Sequence, residues 1–548
     1  MNARLLAIGG ICTLFLVGIV ARLGYLQITR YKHFEEISAS QESPYLFTES
    51  SLAKRGRILA YSHAPLDSNL TGRATNDPFL FAGVRREYDL AINPQTLADP
   101  ERAFTALSPF LVLNRDDFFA KAAKKNDPFE IVKKELLDGE VEAVQRLLYE
   151  KSGGLEGILL APKKRRFYPA AALAAHVIGF VGADDASILK GRYGIEQYFE
   201  ENLAQGADVT LTIDPHVALF AEELLEVMGD RWRPAAAGIL VMEPRTGRIL
   251  AMNAKPGFDP NHFYNANLSD FLNPFIQTRI EPGSVIKPLT LAAAIDAGAI
   301  SPETTYYDKG FREFDDARIN NFDKKGRGTV TMQEVLSQSL NTGAVFAMER
   351  LGKEKFRDYF DRFGLGGKTG VAFAGEVPGD LGNLKSPRMI EFATASFGQG
   401  VATTPLGLAR ALAALANDGW LMKPLAVEGE PQRVRQVVGE SAAHAITRML
   451  VEVVDTKLAE GKGKIPGYSV AAKTGTAQLP NEQSGGYSDD FLHTFFGYAP
   501  AYDPKFFVFL YLKKPQGAIY ASHTLTEPFR DMMQFLLATY EVPPDRVE

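Results

Sequence analysis

An α/β or α+β fold with a central sheet is predicted for the chain from Ala237 onward, because strand-like runs lie at both ends of this segment and helical runs lie between them. GILVMEPRTGRILAMNAKP reads as two strands joined by a turn at Thr246-Gly247. Helical periodicity follows over Ile286–Ala297, Met332–Leu351 and Pro405–Asn417. Three more strands are expected at Gly467–Ala472, His493–Tyr498 and Phe506–Leu512, and a last helix at Glu527–Thr539. The sheet must therefore be assembled from both ends of the segment.

Composition narrows the class. The chain has 548 residues, 46% of them apolar and 23% charged, which excludes a mostly disordered protein and leaves room for two to four domains. A net charge of −6 argues against a nucleic-acid binder. Cys12 is the single cysteine, so no intramolecular disulfide and no cysteine-rich metal site can form.

Leu5 to Ala21 carries no charge, and the apolar character resumes from Leu23 to Ile28 after Arg22. About 20 apolar residues span a bilayer, and an arginine near the end can snorkel to the interface, so residues 1–28 read as a membrane anchor. A cleaved signal peptide would have a shorter apolar core, and Ile11 before Cys12 does not suit a lipoprotein. Charges on the two sides leave its orientation open. Residues 29–215 form a second region: short β-like runs (RGRILAY, YDLAINP), then a charged helical stretch over 114–155 broken at Asp127-Pro128 and Asp138-Gly139, then a strand at Val209–Ile213. Within it, the basic cluster Lys163–Arg166 is expected to be solvated surface. Residues 216–548 form the third region.

Motif absences remove several chemistries. The chain has no His-Glu-x-x-His, no Gly-x-Ser-x-Gly and no Gly-x-Gly-x-x-Gly, and Arg362 stands where a phosphate loop ending at Gly367-Lys368-Thr369 needs glycine. Ser284-Val-Ile-Lys287 remains. Ser-x-x-Lys alone is uninformative, since Ser51 and Ser187 also begin one. Ser284, however, follows the turn Glu281-Pro282-Gly283 and opens a helical stretch, so spacing i, i+3 puts hydroxyl and amine on one face. Ser339-Leu340-Asn341 and Lys473-Thr474-Gly475-Thr476, the latter on an expected strand, follow in order. That ordered set marks penicillin-binding proteins and class A β-lactamases. Lys368-Thr369-Gly370 lies in a glycine-rich loop and has no strand leading into it.

With these motifs in place the chain resembles the class B penicillin-binding proteins, single-pass transpeptidases of bacterial cell-wall synthesis. Arg22–Gln27, Arg55-Gly56-Arg57-Ile58, Arg166–Pro169, His176–Gly179, Gly194-Ile-Glu196, Leu211–Asp214, Gly398-Gln-Gly400 and Thr404-Pro405 extend the resemblance over almost the whole chain. It implies a penicillin-binding serine-transpeptidase fold: a central antiparallel sheet flanked by helices, after a mixed α+β pedestal (dimerisation-like) domain and one transmembrane helix. The family orientation puts the bulk of the chain outside the cytoplasmic membrane.

A serine hydroxyl needs an adjacent base, and His493 is the only histidine near a motif, so Ser284 reads as nucleophile and Lys287 as its base. Lys473 is the cation that helps keep Lys287 neutral, and Ser339 is expected to relay a proton between Lys473 and the leaving amine. Asn341 would orient the substrate peptide, and Lys473, Thr474 and Thr476 would bind its carboxylate, with Gly475 between them. The resemblance adds an oxyanion hole from the backbone N–H groups of Ser284 and Thr476. It implies D,D-transpeptidation of D-Ala-D-Ala stem peptides without metal or cofactor, acylation by β-lactams, and a SEDS-family glycan polymerase as partner. A β-lactamase or D,D-carboxypeptidase shares the motifs but transfers to water; a β-lactam sensor or inactive scaffold would bind without turnover.

Overall fold

The structure, a computed structural model, describes residues 52, 54–62, 77–149, 155–183, 188–314, 317–481 and 486–546. The expected anchor, residues 1–28, and two of the three Ser-x-x-Lys serines, Ser51 and Ser187, lie outside them. Among the described residues no helix is long and apolar enough to cross a membrane.

The chain divides into two compact units. The smaller contains residues 84–167, with its own core of Leu90, Ile92, Leu107, Phe118 and Val144. Its helices Arg115–Ala122 and Asp138–Tyr149 flank a short strand, Glu130–Lys133, where helix was expected. Asp138-Gly139 opens the second helix instead of interrupting one. The basic cluster is a correction as well. It lies on the strand Ile158–Phe167, where Lys163 pairs with Asp89 at 2.8 Å, Arg165 with Glu135 at 2.8 Å, and Arg166 is buried. Acidic partners from distant sequence draw these side chains out of solvent.

The larger unit takes in residues 56–83, 168–184 and 190–548. Strand Ile58–Ala60 pairs in parallel with Val209–Leu211. The unit's main sheet has five strands: β1 (Ala236–Met242), β2 (Ile249–Lys255), β3 (Ala471–Pro480), β4 (Tyr487–Ala499) and β5 (Phe506–Lys513). Their order is β3-β4-β5-β1-β2, every pair antiparallel, so the sheet is closed from both ends of the segment as expected. β5 reads FFVFLYLK and is buried along seven of its eight residues, the pattern of a central strand covered on both faces. Helices α1 (Pro215–Trp232) and α6 (Thr526–Thr539) pack on the sheet, with Phe220 and Phe535 stacked at 4.2 Å. Helix α5 (Glu440–Thr456) packs against β3.

Two departures from simple periodicity place the site. The stretch expected as a helix from 286 begins with a 3-10 turn, Gly283–Ile286, followed by α2 (Lys287–Asp296), whose Pro288 sits in the first turn, where its missing N–H costs nothing. The single helix expected over Met332–Leu351 is two: α3 (Met332–Ser337) and α4 (Asn341–Leu351). Ser339 adopts φ 55° at the break, while the Leu340 N–H donates back to Val335 O at 3.0 Å to close α3. Apolar periodicity continues across the break, so it is silent in pattern.

The loop that holds Lys368-Thr369-Gly370 is structural. Lys368 is exposed, whereas the buried Glu376 carboxylate accepts from Thr369 N, Thr369 Oγ1 and Gly370 N. Replacing it by alanine strands those donors. Glu376→Ala is expected to cost about 3 kcal/mol of unfolding free energy, and Lys368→Ala close to nothing, measured by urea denaturation of the purified protein; equal midpoints for the two variants would contradict this account.

Candidate active site

Three segments far apart in sequence meet at one cleft with a volume of about 940 Å³. Ser284 comes from the 3-10 turn, Ser339 and Asn341 from the α3–α4 break, and Lys473, Thr474 and Thr476 from β3. β3 is an edge strand of the sheet, so one side of it is open to a ligand. Each expected site residue therefore lines this cleft except two. Lys287 lies beneath it, 0% exposed, and Gly475 is buried between its neighbours on the strand.

Gly475 explains how the strand comes so close. A Cβ there would lie 2.3 Å from Thr494 Oγ1 on β4 and 3.0 Å from Val285 Cγ1 in the Ser284 turn. On the opposite side of that turn Gly398 makes the same kind of approach: its Cβ would lie 2.3 Å from Gly283 O, and its carbonyl accepts from Gly283 N at 3.0 Å. The Gly398 contact is backbone to backbone, and at Gly475 the space is filled by the Thr494 and Val285 side chains, so neither position has room for a Cβ.

The polar centre is a hydroxyl shared by two lysines. Lys287 Nζ donates to Ser339 O at 2.5 Å and to Ser339 Oγ at 3.2 Å. Lys473 Nζ donates to the same Oγ at 3.1 Å and to Thr474 O at 2.9 Å. Lys473 is only 2% exposed, and neither amine forms an ion pair among the described residues. Burial holds the Lys287 amine well below the usual lysine range, and the neighbouring Lys473 lowers it further. Burial alone brings Lys473 to about 7. A neutral Lys287 has two N–H groups, both committed to Ser339, and one free lone pair. Ser339 Oγ has both acceptor positions filled and its own O–H left to donate.

Around this centre the hydrogen-bond inventory is equally specific. Asn341 Nδ2 donates to Asn320 O at 2.9 Å, while its side-chain oxygen has no donor among the described residues. Thr476 Oγ1 accepts from Ala521 N at 3.1 Å, which leaves its proton free to donate. No hydrogen bond reaches Ser284 Oγ among the described residues. His493 is not part of the site. Its two ring nitrogens are engaged by Thr524 Oγ1 and Ile519 O, both at 2.9 Å, and burial lowers it to about 4.

Sequence reasoning missed the support behind Asn341. Buried Asp308 accepts from Thr342 Oγ1 at 2.8 Å and from Asn321 Nδ2 at 2.9 Å, and Asn321 Oδ1 accepts from Thr342 N at 3.2 Å. Asp308 and Asn321 are ordinary turn residues in the sequence, and only Thr342, next to Asn341, carried a positional hint. Phe322 and Tyr520, whose rings meet edge to face at 5.9 Å on the cleft rim, had no local signal either. One group of metal-ligating side chains converges among the described residues, Asp418, Glu440 and His444, and none of them lines the cleft.

A serine at a cleft over a buried lysine whose amine is held well below the usual range, with a second lysine and two threonine hydroxyls on an edge strand, defines a serine acyl-transfer enzyme of the penicillin-binding fold. The chain matches the penicillin binding protein transpeptidase domain over residues 237–534 and the penicillin-binding protein dimerisation domain over residues 51–210. It belongs to the class B penicillin-binding proteins. Stage V sporulation protein D of Bacillus subtilis is 29% identical, over 92% of this chain and 81% of that protein. The probable peptidoglycan D,D-transpeptidase PenA of Neisseria meningitidis is 29% identical over 96% and 91%, and the peptidoglycan D,D-transpeptidase FtsI of Escherichia coli 29% over 72% and 71%. The crystal structure of penicillin-binding protein 2X from Streptococcus thermophilus shares the fold, with a TM-score of 0.74 at 19% identity, over 89% of this chain and 80% of that one.

Gly475→Ala tests the close approach. The added methyl collides with Thr494 Oγ1 and presses on Val285 of the Ser284 turn, so β3 and the turn must shift apart or Thr494 must move, and a displacement near 1 Å costs about 100-fold in reactivity. The second-order rate constant for acylation by a fluorescent penicillin is expected to fall by about that factor in protein that still folds by circular dichroism. Acylation at the wild-type rate would show that the spacing is not required.

Proposed function

We propose that the protein is a peptidoglycan D,D-transpeptidase that works through a Ser284 acyl-enzyme. The convergence of Ser284, Ser339 and Lys473 on one cleft, over a buried Lys287 whose amine is held well below the usual range, carries this reading. The Lys287 lone pair takes the Ser284 hydroxyl proton while Ser284 Oγ attacks the carbonyl of the D-Ala-D-Ala bond. Charge then develops on the carbonyl oxygen, which the backbone N–H groups of Ser284 and Thr476 stabilise. The tetrahedral adduct collapses as the C–N bond breaks and the departing D-alanine nitrogen takes a proton from Ser339 Oγ. Lys287, now protonated, donates to that oxygen at 3.2 Å and restores it.

This refines the expected relay. Lys473 also donates to Ser339 Oγ, but Lys287 is the group that has gained a proton, so the charges balance when Lys287 returns it. Lys473 then remains a cation for the substrate's terminal carboxylate, together with the free protons of Thr474 and Thr476. Asn341, with its side-chain oxygen unengaged, accepts from the substrate backbone. In the second half an amine of a neighbouring stem peptide attacks the acyl-enzyme, gives up a proton through the same groups and releases Ser284. β-Lactams acylate Ser284 by presenting a carbonyl beside a carboxylate.

The functional parts are a membrane anchor (1–28), a pedestal (29–215) and the transpeptidase domain (216–548). The anchor crosses the bacterial cytoplasmic membrane, the bulk of the chain lies on its outer face, and a SEDS-family polymerase supplies the glycan strands. The uncharged run Leu5–Ala21 supports the first of these points.

A labelled penicillin is expected to add at Ser284, and Ser284→Ala to abolish labelling; adduct mapped to Ser51 or Ser187 would sink the assignment. With a thioester donor, adding a D-amino acid should yield a transfer product. Hydrolysis alone would make the protein a carboxypeptidase or β-lactamase.

The pH profile follows from the two amines. Lys287 must be neutral, which holds above its depressed pKa, and Lys473 must be charged, which holds below about 7 in the free enzyme. kcat/KM should therefore decline as pH rises through about 7. A bound carboxylate favours the charged amine, so kcat at saturating donor should decline at higher pH than kcat/KM. Coincident alkaline limbs would separate Lys473 from carboxylate binding.

A further inference from the structure

Glu281, three residues before the nucleophile, takes no part in the chemistry described above, and its contacts tie together the walls that carry it. Its Oε2 accepts from Tyr487 Oη at 2.9 Å, and its Oε1 accepts from Gly400 N at 3.1 Å. Tyr487 begins β4, the strand hydrogen-bonded to β3 along the Lys473–Thr476 register. Gly400 ends the loop whose Gly398 carbonyl receives Gly283 N. One carboxylate thus bridges the nucleophile turn, the Gly398–Gly400 loop and the hairpin that carries the carboxylate-binding residues.

Its side chain lies outside the active-site cleft. Gly283 and Ser284 line the active-site cleft, whereas Glu281 lines a separate cavity of about 670 Å³, together with Ile280, Tyr511 and Leu492. The turn is the partition between the two. Glu281 is half-buried, and burial pushes its carboxyl above the usual range. Arg279, Asp490, Lys513 and Lys514 line the same cavity, and Asp490 is paired with Lys514 at 2.8 Å. Glu391, on the short helix Met389–Ala395, is the other carboxylate acting on Tyr487, and Arg388 pairs with it at 3.4 Å. Among the described residues neither Arg279 nor Lys513 forms an ion pair with Glu281, so its two hydrogen bonds fix where the carboxylate points.

We propose that Glu281 is a positioning residue for the acylation step: by holding Tyr487 and Gly400 it sets the distance between the Ser284 turn and β3. That distance determines whether the Ser284 and Thr476 N–H groups converge on one oxygen. This rests on the transpeptidase reading given above. An amide in place of the carboxylate keeps an acceptor oxygen, so glutamine preserves part of the bridge and alanine none.

The test separates binding of a labelled penicillin from the acylation step by stopped-flow fluorescence on the full chain. Glu281→Ala is expected to slow acylation by about 100-fold and leave the dissociation constant of the non-covalent complex unchanged. Glu281→Gln should recover most of the rate. Tyr487→Phe, which keeps the carboxylate in place, should slow acylation by about tenfold and add nothing to Glu281→Ala in the double variant, because both act through one contact. A merely structural residue would lower the melting temperature without this split or this rescue. Acylation at the wild-type rate in Glu281→Ala and Tyr487→Phe overturns the proposal, as does a loss confined to the dissociation constant. If Glu281→Ala does not fold, Tyr487→Phe decides alone. Failure of the wild-type protein to label at Ser284 would instead overturn the transpeptidase reading.

Discussion

Two buried lysines sharing one serine hydroxyl are the constraint on which the site depends. Lys287 and Lys473 both donate to Ser339 Oγ, and no acidic partner stands beside either among the described residues. Two ammonium groups at that separation, out of water, would repel each other strongly. Burial of the whole Lys287 side chain, with Lys473 beside it, holds its amine well below the usual lysine range, which favours the uncharged form. On the mechanism proposed above, the base for Ser284 arises from burial and like charge, with no histidine or carboxylate required.

Such a centre has to be assembled from pieces that cannot drift. Lys287 comes from α2, Ser339 from a break between helices and Lys473 from an edge strand. Gly398 lets backbone meet backbone at Gly283, and Gly475 leaves room for the Thr494 and Val285 side chains, so a Cβ at either position would enter occupied space. Positive φ at Ser339 is uncommon for a residue with a Cβ, and it is held by the closing hydrogen bond from Leu340 N and by both lysines. Local strain and missing side chains are the means by which three remote segments reach hydrogen-bonding distance.

This explains what was legible in the sequence and what was not. The sheet could be read from both ends because β1 and β5 are nearly continuous apolar runs and β2 opens on one, each between turns. Ser284 and Lys287 could be paired because helical spacing fixes them on one face. The α3–α4 break was invisible, since apolar periodicity runs through Met332–Leu351 while the hydrogen bonds do not. Asp308, Asn321, Glu281 and Tyr487 were equally silent, because each acts through a partner distant in sequence. The basic cluster at Lys163–Arg166 misled for the same reason: its acidic partners Asp89 and Glu135 belong to other segments.

The imbalance of charge at the centre also bears on why the enzyme should prefer its own substrate. Burial brings the Lys473 amine down to about 7 in the free site, which weakens its hold on the proton. A donor that ends in a carboxylate supplies the missing counter-charge and strengthens that hold. A charged Lys473 lowers the Lys287 amine further, so on the proposed mechanism a ligand bound at β3 readies the base on α2. A ligand without the carboxylate gains neither effect. Recognition of the terminal carboxylate and activation of the nucleophile are therefore one electrostatic event, and a peptide lacking that group is penalised in reactivity as well as in affinity.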